Sequence, residues 1–267
     1  MNEHQAHLKI AEDAVTIARD LIANAGPLTV RDKGDRDRVT NLDITIERTV
    51  RAYLADQTPD IGFLGEEEGT TPSTGDSVWT LDPIDGTSNL VHGLPLYAVS
   101  LALVTNGRPV VAVIDLPALN MHYTATEGGG AHNQHGPITA STTTNLSSAI
   151  VSLGDYAVGP NAEKKNQHRL AVTARLAAKV ERIRMFGSAA IDLAWLAEGR
   201  TDAAIILSNS PWDIAAGTLV AGEAGARIAD TAGNPYWLAS SSVSAAGGGV
   251  ASELIAVLNR ASSTEEG

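Results

Sequence analysis

The stretch Leu81-Asp-Pro-Ile-Asp-Gly-Thr-Ser-Asn89 sets two carboxylates, Asp82 and Asp85, three residues apart, directly after the apolar run Ser77–Leu81. A second acidic group, Gly65-Glu-Glu-Glu68, follows the short apolar run Ile61–Leu64. If the two runs lie side by side as strands, three or four negative charges converge at their ends. Like charges at that range raise each other's pKa or destabilise the site unless a cation neutralises them. Hard divalent cations such as Mg²⁺ take oxygen ligands of this kind, pairing a few carboxylates with water and a substrate phosphate. The rest of the stretch suits that phosphate. Gly86 lets the backbone approach closely, the amides of Gly86 and Thr87 at a turn or helix start can cradle an anion, and Pro83 fixes the bend.

Each piece also has a plain structural reading. Asp-Pro-x-Asp-Gly-Thr alone is equally well a turn with an Asx cap. Asp213, in Ser210-Pro-Trp-Asp213, reads alone as a helix cap, and so do Thr40 and Asp43 in Val39-Thr-Asn-Leu-Asp43. The combination carries the chemistry.

The elements that must position these residues follow from periodicity. Leu8, Ala11, Ala14, Val15, Ala18, Leu21 and Ile22 recur at helical spacing until Gly26-Pro27. Arg31–Arg38 reads as a loop or hairpin, and a second helix runs from near Asn41 towards Gln57. Ile61–Leu64 and Val78–Leu81 are strands that end at the acidic groups. Tyr97–Val104, Pro109–Leu116 and Met121–Ala125 read as successive strands broken by Asn106-Gly107 and Pro117. Beyond them the chain alternates. Strands fall at Ile150–Leu153, Ile183–Phe186, Thr201–Leu207 and Ala226–Asp230. Helices fall at Ala162–Lys179, Ser188–Ala197, Trp212–Gly222 and Val250–Arg260. This order implies α/β (α+β) layering, with helices covering sheets. The expected division is an N-terminal half, 1–140, with the metal and phosphate site, and a C-terminal half, 141–267, closed into one catalytic unit.

The chain's 267 residues are 43% hydrophobic, enough for a substantial core. A net charge of −12 disfavours nucleic acid and anionic membranes as partners, and it repels small phosphates too unless a cation intervenes. There is no cysteine, hence no disulfide framework and no thiolate chemistry. The polar N-terminus lacks the apolar core of a secretory signal, and no apolar run approaches a membrane span. These features point to a cytoplasmic protein.

Taken in order, the blocks Val39-Thr-Asn-Leu-Asp43, Gly65-Glu-Glu67, Asp82-Pro-Ile-Asp-Gly-Thr87 and Pro211-Trp-Asp-Ile-Ala-Ala-Gly217 resemble the inositol monophosphatase family of metal-dependent, lithium-sensitive phosphatases. A fifth block, 187–203, is similar to the family's substrate-side helix. The resemblance spans nearly the whole chain. It implies alternating α-β-α-β-α layers of the inositol monophosphatase / fructose-1,6-bisphosphatase type, two or three Mg²⁺ per active site, and a homodimer. It also implies roles. Glu66, Asp82 and the Ile84 carbonyl match the ligands of one metal; Asp82, Asp85 and Asp213 match those of a second; Glu67 supports a looser third. Thr87 and Asp43 match the pair that orients and deprotonates water, and Lys33 matches a mobile lysine. Gly187, Ser188 and Ala189 match the wall receiving the alcohol. Together with Asp85, Gly86 and Thr87 they form the substrate set, to which Arg184 is added for a leaving-group or second phosphate contact.

The implied reaction is Mg²⁺-dependent hydrolysis of a small phosphate monoester by direct attack of water, with no covalent phospho-enzyme. One departure matters. Family members that cleave inositol phosphates carry a glutamate seven residues before the aspartate that follows the tryptophan; here that position is Ile206, which accepts no hydrogen bond. Ser208 or Asn209 could substitute. Histidinol phosphate and 3′-phosphoadenosine 5′-phosphate are therefore alternative substrates, and a non-catalytic metal-binding regulator is the alternative of another class. His132 and His135 read as an exposed loop, His92 as a structural hydrogen-bonder, Trp195, Trp212 and Trp237 as core, and Lys164-Lys165 as a solvated helix face.

Overall fold

The protein is described from a computed structural model, covering residues 3–207, 210–238 and 240–262. Helix α1 (Glu3–Ala23) buries Ala11, Ala14, Val15 and Ala18 along one face. A hairpin of β1 (Val30–Gly34) and β2 (Asp37–Thr40) leads into α2 (Asn41–Gln57). Thr40 starts α2 with a capping box: its hydroxyl accepts the amides of Leu42 and Asp43, while Asp43 Oδ2 accepts the Thr40 amide at 2.9 Å.

Eight strands then form one sheet: β3 (Gly62–Gly65), β4 (Gly69–Thr71), β5 (Ser77–Asp85), β6 (Ala98–Thr105), β7 (Arg108–Leu116), β8 (Met121–Thr126), β9 (Gly130–Asn133) and β10 (Gly136–Pro137). Their spatial order is β10-β9-β8-β7-β6-β5-β3-β4. The short helix α3 (Thr87–Val91) links β5 to β6. β3 lies parallel to β5 with Gly65 opposite Leu81, which sets Glu66 beside Asp82 as the chain leaves both strands.

The second half supplies β11 (Ile150–Leu153), α4 (Ala162–Ala177), β12 (Arg182–Arg184), α5 (Ala189–Ala197), β13 (Ala203–Ile206), α6 (Pro211–Glu223), β14 (Arg227–Ala229), β15 (Val243–Ala246) and α7 (Ala251–Ser262). Its sheet has the order β12-β11-β13-β15-β14; β11 pairs in parallel with β12 and β13, and β15 pairs antiparallel with β13 and β14.

Strand alternation produces the layers. Val99, Leu101 and Leu103 of β6 and Val111 and Val113 of β7 face a core shared with α1 and α2. Their neighbours Ala98, Ala102, Ala112 and Ile114 face the opposite way, onto Ile191 and Leu193 of α5 and Ile214 and Val220 of α6. Ala204 and Ile206 of β13 close that middle core from the second sheet. Ala203 and Ile205 point outward to Leu176 of α4 and Leu254 of α7. Five layers, α-β-α-β-α, result. Strands buried on both faces carry near-continuous apolar runs, as β6 and β7 do, broken only by the buried Ser100 and Asp115.

Two expectations need correction. Trp237 is 52% exposed, with the Arg108 guanidinium 5.0 Å from its ring centre; Trp195 is half-buried against the middle core, Trp212 is half-buried, and Trp79, 1% exposed, is fully buried. His132 lies within β9, opposite Thr124, rather than in a loop, because the Gly128–Gly130 turn folds the chain back onto β8. Among the described residues no helix is long and apolar enough to cross a membrane.

Candidate active site

The cleft, about 420 Å³, opens where the strand ends of the first sheet meet the N-termini of α5 and α6. Asp82 is 2% exposed, and its Oδ1 accepts the Ile84 amide at 3.0 Å, a local bond that tightens the bulge between Asp82 and Asp85. Asp85 Oδ2 accepts the Ser188 hydroxyl at 2.7 Å and the Ala190 amide at 2.6 Å, so a carboxylate of the first sheet sits on the first turn of α5. Asp213 stands in the first turn of α6, its Oδ2 accepting the Ser210 amide at 2.9 Å. The Thr87 hydroxyl lies 3.1 Å from Asp43 Oδ1 and 3.0 Å from the Ile84 carbonyl. Lys33 reaches across from β1 to Glu66 Oε1 at 2.7 Å and Glu67 Oε1 at 2.8 Å.

Two glycines permit the close approach of the halves. Gly86 has φ of +96°, and a Cβ there would stand 2.9 Å from the Leu96 carbonyl and 3.1 Å from the Gly187 carbonyl. Gly187 has φ of +73°, and a Cβ there would strike Asn89 Nδ2 at 2.9 Å. That Asn89 amide donates to the carbonyls of Leu96 (2.7 Å) and Phe186 (2.8 Å), joining the two strips of backbone.

The electrostatics are those of crowded acids. Burial, then the charges of Glu66, Asp85 and Asp213, push the Asp82 carboxyl well above its usual range. Burial and Asp213 lift Asp85 to about 7, against the Ala190 amide and Ser188 hydroxyl. Asp213 rises to about 6, from burial and Glu66, against the Ser210 amide. Glu67 rises to about 7, from burial and neighbouring acids, against its bond to Lys33. Burial opposes the charge on Lys33, yet the Glu66 and Glu67 carboxylates outweigh it and hold its pKa above the usual value. Among the described residues no three acidic or imidazole groups are already arranged to hold a metal. The donor set nonetheless fits a hard divalent cation: it is all oxygen, negatively charged, and desolvated enough that its ionised form needs a counter-charge. The Lys33 ammonium supplies part of that charge.

Of the residues expected from the sequence, Glu66, Asp82, Ile84, Asp85, Gly86, Thr87, Gly187, Ser188, Ala189 and Asp213 line this cleft, and Asp43, Lys33 and Glu67 bond to it. Arg184 does not line it. It is exposed on β12, where Nη1 donates to the Ile183 carbonyl at 2.9 Å, so the expected substrate contact is not formed. Ser208 and Asn209 lie outside the described residues. Lys165, expected as a solvated face, is exposed yet also lines the cleft.

Two residues escaped the sequence reading. Glu47, fully buried, accepts the amides of Glu67 and Glu68 at 2.8 Å each and pairs with Arg51 at 2.7 Å, fixing the turn that presents Glu66. Its signal is an acid among the inward positions Ile46, Val50 and Leu54. Asp192 of α5 is 1% exposed and lines the cleft with Oδ1 unpartnered.

Comparison with known proteins gives a consistent answer. The profile of the Inositol monophosphatase family matches residues 3–263. A probable inositol 1-monophosphatase, ImpA, of Mycobacterium tuberculosis is 35% identical over 254 residues, 95% of this chain and 93% of its own length. A fructose-1,6-bisphosphatase/inositol-1-monophosphatase of Thermotoga maritima is 34% identical over 228 residues, 85% of this chain and 84% of its own. Among solved structures, an IMPase from Thermotoga maritima superposes with a TM-score of 0.87 at 31% identity, covering 97% of this chain and 99% of the other. The chain is thus a phosphoric monoester hydrolase. It belongs to the inositol monophosphatase family.

Proposed function

We propose that this chain hydrolyses a small sugar or polyol phosphate to alcohol and phosphate, using Mg²⁺ and direct attack of water. The observation that carries the reading is the gathering of Asp82, Asp85 and Asp213, each with a raised pKa, in one cleft built from both halves. Glu66, Asp82 and the Ile84 carbonyl would hold one ion and Asp82, Asp85 and Asp213 a second, with Glu67 beside a looser third. When bound, such ions neutralise the phosphoryl oxygens, acidify a water and stabilise the departing alkoxide.

The chain's own residues do the rest. The single Thr87 proton goes to Asp43 or to the Ile84 carbonyl, leaving Oγ1 lone pairs to accept a proton from the attacking water. Relay of the Thr87 proton to Asp43 makes the pair a general base. Gly86, whose missing side chain lets the Leu96 and Gly187 carbonyls close in, lines the cleft with Thr87 where the phosphoryl group would lie. Lys33, bonded to both carboxylates, holds Glu66 and Glu67 at the edge of the cleft. Gly187, Ser188 and Ala189 face the alcohol. Ile206, 4% exposed and lining the cleft, offers a substrate hydroxyl no acceptor, which favours sugar phosphates other than those of inositol.

Family membership supports a cytoplasmic homodimer inhibited by lithium as part of the same proposal, and the two sheets form one catalytic unit divided near residue 140. The test is phosphate release from inositol, histidinol, sugar and nucleotide phosphates with Mg²⁺, alongside EDTA and lithium arms. Activity requires Mg²⁺, falls in lithium, and is abolished in Asp85→Asn and Asp213→Asn proteins that remain folded. Wild-type turnover by Asp85→Asn would overturn the ligand assignment.

A further inference from the structure

The cleft has a second end. Lys165, Arg169 and Leu207 line both the acidic cleft and an adjoining hollow of about 260 Å³, completed by Lys164 and His168. The four polar residues around that hollow are all basic, and no carboxylate lines it, in a chain of net charge −12. Ile206 and Leu207 are apolar lining of the same cleft, and Leu207 also lines the hollow.

Most cations near the cleft are already committed. Lys33 is held by Glu66 and Glu67, Arg36 by Asp35, and Arg38 lies 3.8 Å from Asp32. Arg169 is 5% exposed and bonds the Asp155 carbonyl. Lys164 and Lys165 differ. Among the described residues neither ammonium has a hydrogen-bond or ion-pair partner. They also occupy the first turn of α4 (Ala162–Ala177), where positive charge meets the positive end of the helix dipole and costs stability. Adjacent cations set against the dipole, without an ion-pair partner although Glu163 shares their turn, at the mouth of an active site are placed for a ligand anion rather than for the fold.

We propose that the substrate carries a second anionic group, a phosphate or a carboxylate, on the departing alcohol, and that Lys165 and Lys164 receive it while the acidic end takes the scissile phosphoryl group. This deepens, and rests on, the phosphatase reading above. The sugar or short carbon skeleton then lies across Ile206 and Leu207, which accounts for an apolar side chain where a hydroxyl acceptor is absent. A singly phosphorylated polyol fills one end only and leaves the lysines solvated.

The experiment measures initial rates of inorganic phosphate release, with Mg²⁺, on two matched pairs: glucose 1-phosphate against glucose 1,6-bisphosphate, and glycerol 2-phosphate against 2-phosphoglycerate. The doubly anionic member is expected to have a kcat/KM at least about tenfold higher in one pair or both. Preference confined to the bisphosphate pair assigns the second group as phosphate; preference confined to the glycerate pair assigns it as carboxylate. The double variant Lys164→Gln/Lys165→Gln lowers that ratio by about tenfold, while Lys179→Gln, beyond the end of the same helix, leaves it unchanged; thermal melts confirm that both fold. Ratios near unity in both pairs, or a preference that survives the double variant, overturn the second-anion subsite and leave the phosphatase reading standing. Release of phosphate by folded protein from none of the four, nor from the inositol, histidinol and nucleotide phosphates above, overturns the phosphatase reading, and this proposal with it.

Discussion

Glu47 shows how one side chain can govern a site it does not enter. Its carboxylate has no exposed surface and collects the amides of Glu67 and Glu68 and the Arg51 guanidinium. The turn carrying Glu66 and Glu67 therefore hangs from a fixed anion on α2. Gly65 fits only because it lacks a side chain: a Cβ there would lie 2.3 Å from the Glu47 carboxyl carbon. Glu47→Gln keeps the shape but replaces one acceptor oxygen by a donor facing a donor, and it leaves the Arg51 charge unmatched. The expected cost is about 1–3 kcal/mol of stability, with a higher Mg²⁺ concentration for half-maximal activity and a lower kcat at little-changed KM. Thermal melts and Mg²⁺ titrations of initial rate check this; an unchanged Mg²⁺ requirement would confine Glu47 to a structural role. From the sequence, Asp82, Asp85 and Glu66 are legible because acids at the ends of apolar runs have no reason to cluster there otherwise. Glu47 is not, because an acid four residues after Asp43, taken alone, reads as one more solvated helix position. Its place among Ile46, Val50 and Leu54 marks the inward face, but nothing in the spacing says that it receives a loop about twenty residues further on. Arg184 fails in the opposite sense: its nearness in sequence to Gly187 made it a candidate, but β12 is the edge strand of its sheet and leaves the side chain outside.

At the scale of elements, α6 must bring Asp213 against the first sheet while packing tightly on α5. It does so with small residues, Ala215, Ala216 and Gly217, all buried in the middle layer. A Cβ at Gly217 would stand 2.5 Å from Leu193 Cδ1 and 2.6 Å from Leu193 Cβ, so the close crossing of α5 and α6 depends on that glycine. Gly217→Ala is expected to cost about 1–3 kcal/mol by overpacking. It should also lower kcat, because α6 can accommodate the methyl only by tilting the turn that holds Asp213. Melting curves and initial rates read both effects; full activity in a destabilised protein would mean that the helix relaxes elsewhere. Elements with strong periodicity or long apolar runs, such as α1, α2, β6 and β7, are legible in the sequence because burial alone dictates them. The missed elements are short and made of small or polar residues. β15 reads Val243-Ser-Ala-Ala246 between serines and glycines, and it becomes a strand only because β13 and β14 flank it. α3 is a single turn following the positive φ of Gly86, hidden inside what looks like a loop.

At the scale of the whole molecule, the two sheets are joined by the apolar middle core, and at the cleft they bring acids from both halves against each other. Asp82 and Asp85 come from the first half, Asp213 from the second, and their mutual repulsion works against closure until a cation arrives. The sign of the pH dependence follows. Asp85 at about 7 and Asp213 at about 6 are raised above the ordinary carboxylate value of 3.8. The folded metal-free protein therefore binds protons more tightly than the unfolded chain in that interval. The stabilising contribution is fully present below the unfolded pKa and is lost as pH rises through the folded values. Without metal, the melting temperature should carry a component that falls between about pH 4 and pH 7 and then levels. Asp85→Asn should flatten that component, because the amide stays neutral throughout. Mg²⁺ binds the ionised cage, so its stabilisation should grow over the same interval. At a hundredfold excess over Kd it amounts to about 2.7 kcal/mol, which at roughly 2–4 °C per kcal/mol reads as a rise of about 5–10 °C. Melting the metal-free and Mg²⁺-loaded wild type and Asp85→Asn from pH 5 to 8 decides the matter. A Mg²⁺-induced rise that is absent at pH 8, or equally large in the variant, would show that no divalent ion joins the two halves at these carboxylates.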